Sequence, residues 1–119
     1  MKPTCVEELD VFKLSHELAL EIYRVTKNFP RDEIYGLISQ MRRAASSVVG
    51  NLAEGANRHS KAEYRRFTSI AKGSAGEVYY YLLLSKDLGY MDEEKFKALR
   101  KDYFRAMQML EKLVQSLNA

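Results

Sequence analysis

Seven apolar positions towards the C-terminus recur at intervals of three and four without a break: Phe96, Leu99, Tyr103, Ala106, Leu110, Leu113 and Leu117. That spacing puts them on one stripe of an α-helix and does not fit a strand, whose side chains alternate with a period of two. Met107 and Val114 widen the stripe. Asp92 is placed to cap the helix, with Glu93 and Glu94 in a first turn where the helix dipole favours acids.

Three earlier segments repeat the pattern. Val11, Leu14, Leu18, Ile22, Val25 and Phe29 form one stripe, which Asn28 and Pro30 bring to a stop. Leu37, Met41, Ala44, Val48 and Leu52 form a second, expected to end near Gly55–Asn57. Ser60-Lys61-Ala62-Glu63 has the form of a capping box, in which Ser and Glu satisfy each other's backbone amides. The third stripe is expected to bury Phe67, Ile70, Ser74, Val78, Tyr81 and Leu88, with Gly89 as the left-handed residue that ends the helix. Four helices of roughly 18–29 residues, each about 27–43 Å long, result. Short connections make neighbours antiparallel, so the expected fold is an all-α, up-down-up-down four-helix bundle.

Composition agrees with this reading. The 119 residues suit one domain, and 46% apolar content is enough for a core. Residues 1–8 are expected to form a flexible lead-in to a single domain at 9–119. Cys5 is the sole cysteine, so no intrachain disulfide can form. No apolar run approaches the ~18 residues of a membrane span, and no signal peptide is evident. A cytoplasmic location is the default expectation, with no membrane partner.

The net charge is +3, but it is unevenly spread. Residues 36–72 hold Arg42, Arg43, Arg58, Lys61, Arg65, Arg66 and Lys72 against Glu54 and Glu63. Lys61, Arg65, Thr68 and Lys72 share one helical stripe. Such a surface can track phosphates, and it also fits a plain solvated helix face.

Three further features exceed a generic bundle. Small residues crowd the central helices: Ala44-Ala45-Ser46-Ser47, Gly50, Ala53, Gly55 and Ala56, then Gly73-Ser74-Ala75-Gly76. A mid-helix glycine costs about 1 kcal/mol relative to alanine, which close approach of helices can offset. Tyr79-Tyr80-Tyr81 cannot all enter one core, because successive side chains point ~100° apart. With Tyr23 they are expected to favour self-association, chiefly through Tyr23, Tyr79 and Tyr80. Ser47, Asn51, Glu54 and Glu77 are expected to act structurally, fixing register or bridging to Arg42 or Arg58.

No catalytic constellation emerges. Di-metal bundles need Glu-x-x-His pairs, whereas His16 and His59 follow Lys13 and Ala56 at that spacing. Ser69-Ile-Ala-Lys72 matches Ser-x-x-Lys without its companion motifs. Gly50–Gly55 lacks the Gly-Lys-Ser/Thr ending of a phosphate loop. No cofactor, metal or enzymatic activity is expected.

Several stretches together resemble a bacterial four-helix-bundle protein family that includes proteins encoded in intervening sequences of large-subunit ribosomal RNA genes. They are Leu9-Asp10-Val11-Phe12, His16-Glu17-Leu18-Ala19, Phe29-Pro30, Tyr35-Gly36-Leu37 and Gln40-Met41-Arg42-Arg43-Ala44-Ala45. Asn51-Leu52-Ala53-Glu54-Gly55, Ser60-Lys61-x-Glu63, Gly73-Ser74-x-x-Glu77 and Lys86-Asp87-Leu88-Gly89-Tyr90 complete the set. Phe12 stands where the family usually has Trp, and the fourth helix matches only as an amphipathic helix. The resemblance implies a bundle that often assembles as a homopentamer and has no established enzymatic activity. The chain is also similar to the accessory variability protein of diversity-generating retroelements, which implies nucleic acid and a reverse transcriptase as partners. A non-enzymatic homo-oligomer binding structured RNA or DNA through the mid-chain basic residues is therefore expected. A protein–protein scaffold that binds no nucleic acid is the alternative.

Overall fold

The computed structural model describes residues 6–118, which contain four long helices and no strand. They are α1 (Asp10–Thr26), α2 (Leu37–Ala56), α3 (Lys61–Asp87) and α4 (Glu93–Ser116). Each packs on its neighbour in sequence, and α4 closes the ring against α1. This is the up-down-up-down bundle that short connections impose. Its long dimension of 45 Å is close to the ~40 Å of the 27-residue α3, so the helices run the length of the molecule. None of them is long and apolar enough to cross a membrane.

The helix boundaries follow local chemistry. The Ser60 hydroxyl accepts from the Glu63 amide at 3.1 Å, and an Asp92 carboxylate oxygen accepts from the Lys95 amide at 2.8 Å. Gly89 ends α3 at φ 81°, a left-handed conformation that suits a residue without Cβ. Pro30 starts a 3-10 turn at Arg31–Glu33, and Glu33 then holds two loops together. One Glu33 oxygen accepts from the Leu37 amide and the other from the Tyr90 hydroxyl. That hydrogen bond raises the Tyr90 pKa above its ordinary value.

The expected stripes of α2 and α4 form the core, with Met41, Leu52, Ala106 and Leu110 wholly buried. Leu18 and Ile22 of α1 join them. Residues 1–5 of the expected lead-in lie outside the described residues, whereas Val6 is 2% exposed and belongs to the core.

The buried side of α3 keeps Ser74 and Val78 of the expected stripe and otherwise differs from it. Tyr64, Thr68, Ala71, Ser74, Ala75, Val78, Leu82 and Ser85 face inwards, while Ile70 and Leu88 are 40% and 49% exposed. The physical reason lies in hydroxyl groups that are satisfied at no cost to the core. Thr68 donates to the Tyr64 carbonyl at 2.8 Å, and Ser85 to that of Tyr81 at 2.7 Å. A hydroxyl bonded within its own helix is buried as a small, nearly apolar group.

Close packing accounts for one of the central glycines. A Cβ on Gly55 would lie 2.9 Å from Phe67 Cβ and 3.1 Å from Tyr64 Cδ1. Gly50 and Gly73 have no atom within 4 Å of such a Cβ, so no close packing within the chain requires them.

Candidate nucleic-acid interface

The mid-chain basic residues divide among three faces of the bundle. Arg42 lies at the α1–α2 seam, where its Nε donates to Thr26 Oγ1 at 2.9 Å and its guanidinium covers the Tyr23 ring at 4.9 Å. It also reaches the Tyr23 carbonyl in the last turn of α1, where the helix dipole favours a cation. Arg65 serves α4 in the same way, donating to the Leu117 carbonyl at 3.2 Å. Lys72 bridges to Glu111 of α4 at 2.9 Å. This bond, followed by one from Gln115, holds the Glu111 carboxyl below the usual carboxylate range. Arg65 and Lys72 thus lie at the α3–α4 seam, with Thr68 between them wholly buried and Lys61 exposed at the start of α3.

Arg58 and Arg66 form a cluster at the α2–α3 connection. Their guanidinium groups stack on the Phe67 ring at 4.8 and 4.5 Å. Arg58 pairs with Glu54 at 2.8 Å and approaches Glu63 at 3.8 Å, while Arg66 pairs with Glu63 at 3.2 Å. All four side chains are at least 40% exposed. Exposed pairs contribute only about 0–1 kcal/mol, so an incoming phosphate can displace the carboxylates at little cost. The side chains of Arg43 and Lys61 are exposed and have no ion pair or hydrogen bond among the described residues.

The polar quartet also separates. Ser47 and Ser74 share a 2.9 Å hydrogen bond across the α2–α3 seam, and Asn51 donates to both the carbonyl and the hydroxyl of Ser47. Glu54 belongs to the arginine cluster. Glu77 is exposed and lines an open groove of about 390 Å³ with Gln40, Arg43, Ala44, Ser47 and Ser74. The described residues contain no group of three or more His, Cys, Asp or Glu side chains that could hold a metal ion.

The tyrosines lie on different faces. Tyr23 is 42% exposed and borders a mostly apolar groove with Ala19, Leu20, Val49 and Gly50 between α1 and α2. Tyr79 sits at the α3–α4 seam, 6.2 Å from Phe104 and beneath the Arg100 guanidinium at 3.6 Å. Tyr80 is 55% exposed, its ring tilted against that of Tyr81 at 5.8 Å. Tyr103 is in the core, where burial raises its pKa and its hydroxyl finds no partner.

A second basic row, on α4, falls outside the mid-chain window. Lys97, Lys101, Arg105 and Lys112 are all exposed, and none has an acidic partner among the described residues. Their recurrence at intervals of four, four and seven was a readable signal of a shared face. Net charge hid it, because acidic residues elsewhere in the chain, and Glu94 at the start of the row, offset it in the sum.

A family model described as 23S rRNA-intervening sequence protein matches residues 7–112. The chain belongs to this family. Among solved structures it is similar to a protein of unknown function from the S23 ribosomal protein family of Bacteroides thetaiotaomicron. That likeness has a TM-score of 0.79 at 23% identity and covers 87% of this chain and 97% of the other. At this identity it shows the shared bundle fold. No curated protein matches the chain. Two of the stretches that carry the resemblance have clear physical roles. Arg42 ties α2 to α1, while Asn51, Glu54 and Gly55 respectively bond Ser47, pair with Arg58 and admit Tyr64 and Phe67.

Proposed function

We propose that this intervening-sequence protein is a non-enzymatic homo-oligomer that binds structured RNA or DNA as an accessory factor. The observation that carries the reading is the cationic surface at the α2–α3 end. Lys61 is unpaired there, and Arg58 and Arg66 are held by exposed carboxylates and the Phe67 ring, while unpaired Arg43 lies farther along the α2–α3 face beside Ser74 and Glu77. The 23S ribosomal RNA context in the family's description is in keeping with a nucleic-acid partner. The grooves are open and shallow, and no nucleophile, base and orienting group converge in one of them. Binding is the better reading of such a surface than turnover.

Self-association draws on the apolar groove beside Tyr23 and on exposed Tyr80 and Ile70. These lie on different faces, so pairing one with the other is head-to-tail, and such contacts close into rings when the rotation permits. Pentameric assembly, implied by the sequence resemblance, is one such ring. Several copies would multiply a modest cationic patch into a multivalent one. A reverse transcriptase or another protein is a further partner in keeping with that resemblance.

Light scattering coupled to gel filtration, with and without a structured RNA, tests both parts. The expected result is a multiple of the chain mass that co-elutes with RNA at low salt. A monomer that leaves the RNA unbound contradicts the proposal.

A further inference from the structure

The α4 row has a feature the α2–α3 patch lacks. Lys97, Lys101, Arg105 and Lys112 span 16 residues, or about 22 Å of helix, with the first three rising ~6 Å per cation. Gln108 occupies the remaining turn of the row and is also exposed. Phe104 lies beside it, 49% exposed, with its ring steadied from behind by Tyr79 at 6.2 Å. Of the nearby acids, Glu111 is already paired with Lys72, and half-buried Asp102 falls on the flank towards α1. Asp10 borders a groove with Lys112 without pairing to it, and Glu94 stands at the N-terminal end of the row, one turn before Lys97.

A row of unpaired cations attracts a polyanion. An exposed aromatic ring beside it distinguishes between polyanions. In a duplex the bases stack on one another and offer no face to Phe104. An unpaired base has a free face, and stacking on an aromatic side chain is worth about 1–3 kcal/mol. Single strands and loops are also where RNA presents such bases.

We infer that the exposed face of α4 binds an unpaired polynucleotide segment, with phosphates along Lys97, Lys101, Arg105 and Lys112 and a base stacked on Phe104. This rests on the nucleic-acid reading above and adds to it a second surface and the form of nucleic acid that surface takes. Neither contact reads the sugar, so RNA and DNA bind alike.

Fluorescence anisotropy on the full chain tests this, with twelve-residue oligo(U), oligo(dT) and a duplex of equal length as probes. The wild type is expected to bind both single strands within a few-fold of each other and more tightly than the duplex. Replacing all four cations by glutamine should weaken single-strand binding at least tenfold. It should also lower the slope of log K against log salt by about 3, from ~0.7 per phosphate contact. Phe104→Ala should weaken single-strand binding by about tenfold and leave the slope unchanged. Single-strand binding that survives both variants overturns the inference. So does a preference for duplex, or strict dependence on ribose. If the wild type binds structured RNA while the four-glutamine variant matches it on every probe, only this inference fails. If the wild type binds no nucleic acid, the underlying function fails with it.

Discussion

Gly55→Leu is expected to destabilise the bundle by about 3 kcal/mol or more, the upper range for overpacking a tight site. Even a lone Cβ there would sit 2.9 Å from Phe67 Cβ and 3.2 Å from the Tyr64 carbonyl oxygen. Neither neighbour can withdraw easily. Tyr64 is 7% exposed, and Phe67 is held under two guanidinium groups. The helices themselves must part, which moves Arg58 and Arg66 with them. Gly50→Ala is the matched control, since its Cβ meets nothing within 4 Å. It should stabilise the isolated protomer by up to about 1 kcal/mol through helix propensity alone. Urea denaturation of both variants measures the contrast. Equal stabilities would show that α2 and α3 do not approach as closely at Gly55 as described.

Reversing two charges, Arg43→Glu with Lys61→Glu, is expected to lower affinity for structured RNA at low salt by at least tenfold while leaving the melting temperature nearly unchanged. Both side chains are exposed and unpaired, so their loss breaks no intramolecular bond. The nucleic acid loses two attractive contacts and meets two repulsive ones. Arg65 and Arg66 are poorer choices for this experiment. Arg65 caps α4 through the Leu117 carbonyl, and Arg66 pairs with Glu63, so reversal there mixes folding with binding. Electrophoretic mobility shifts with parallel thermal melts make the measurement. Unchanged affinity in a folded double variant would favour the protein–protein scaffold.

Three of the four buried stripes were legible because leucine, isoleucine, valine and methionine mark them. The stripe of α3 was legible only at Ser74 and Val78. Much of its inward face is built from Thr68, Ala71, Ala75 and Ser85, which read as neutral, while Ile70 and Leu88 point to solvent. The hydrogen bonds that permit this burial run to a carbonyl one turn back or across the seam to Ser47. The choice between those arrangements depends on where α2 lies.

The site shows the same division. The Glu54–Arg58 and Glu63–Arg66 pairs are separated by four and three residues, so the helical pattern contains them. The bond from Lys72 to Glu111 spans 39 residues and that from Arg65 to Leu117 spans 52. No local pattern encodes such contacts, and they turn an apparent phosphate track into an α3–α4 seam. The row on α4 was hidden for the opposite reason. Its spacing was local and plain, but its charge vanished in a sum taken over all faces of the chain.

The most direct test of the account is the salt dependence of nucleic-acid binding by the wild-type protein. Filter binding of a structured RNA should give weak retention that falls steeply and linearly in log K against log salt, with little preference among sequences. Absence of retention at low salt, or affinity indifferent to salt, would contradict a function carried by these cationic surfaces.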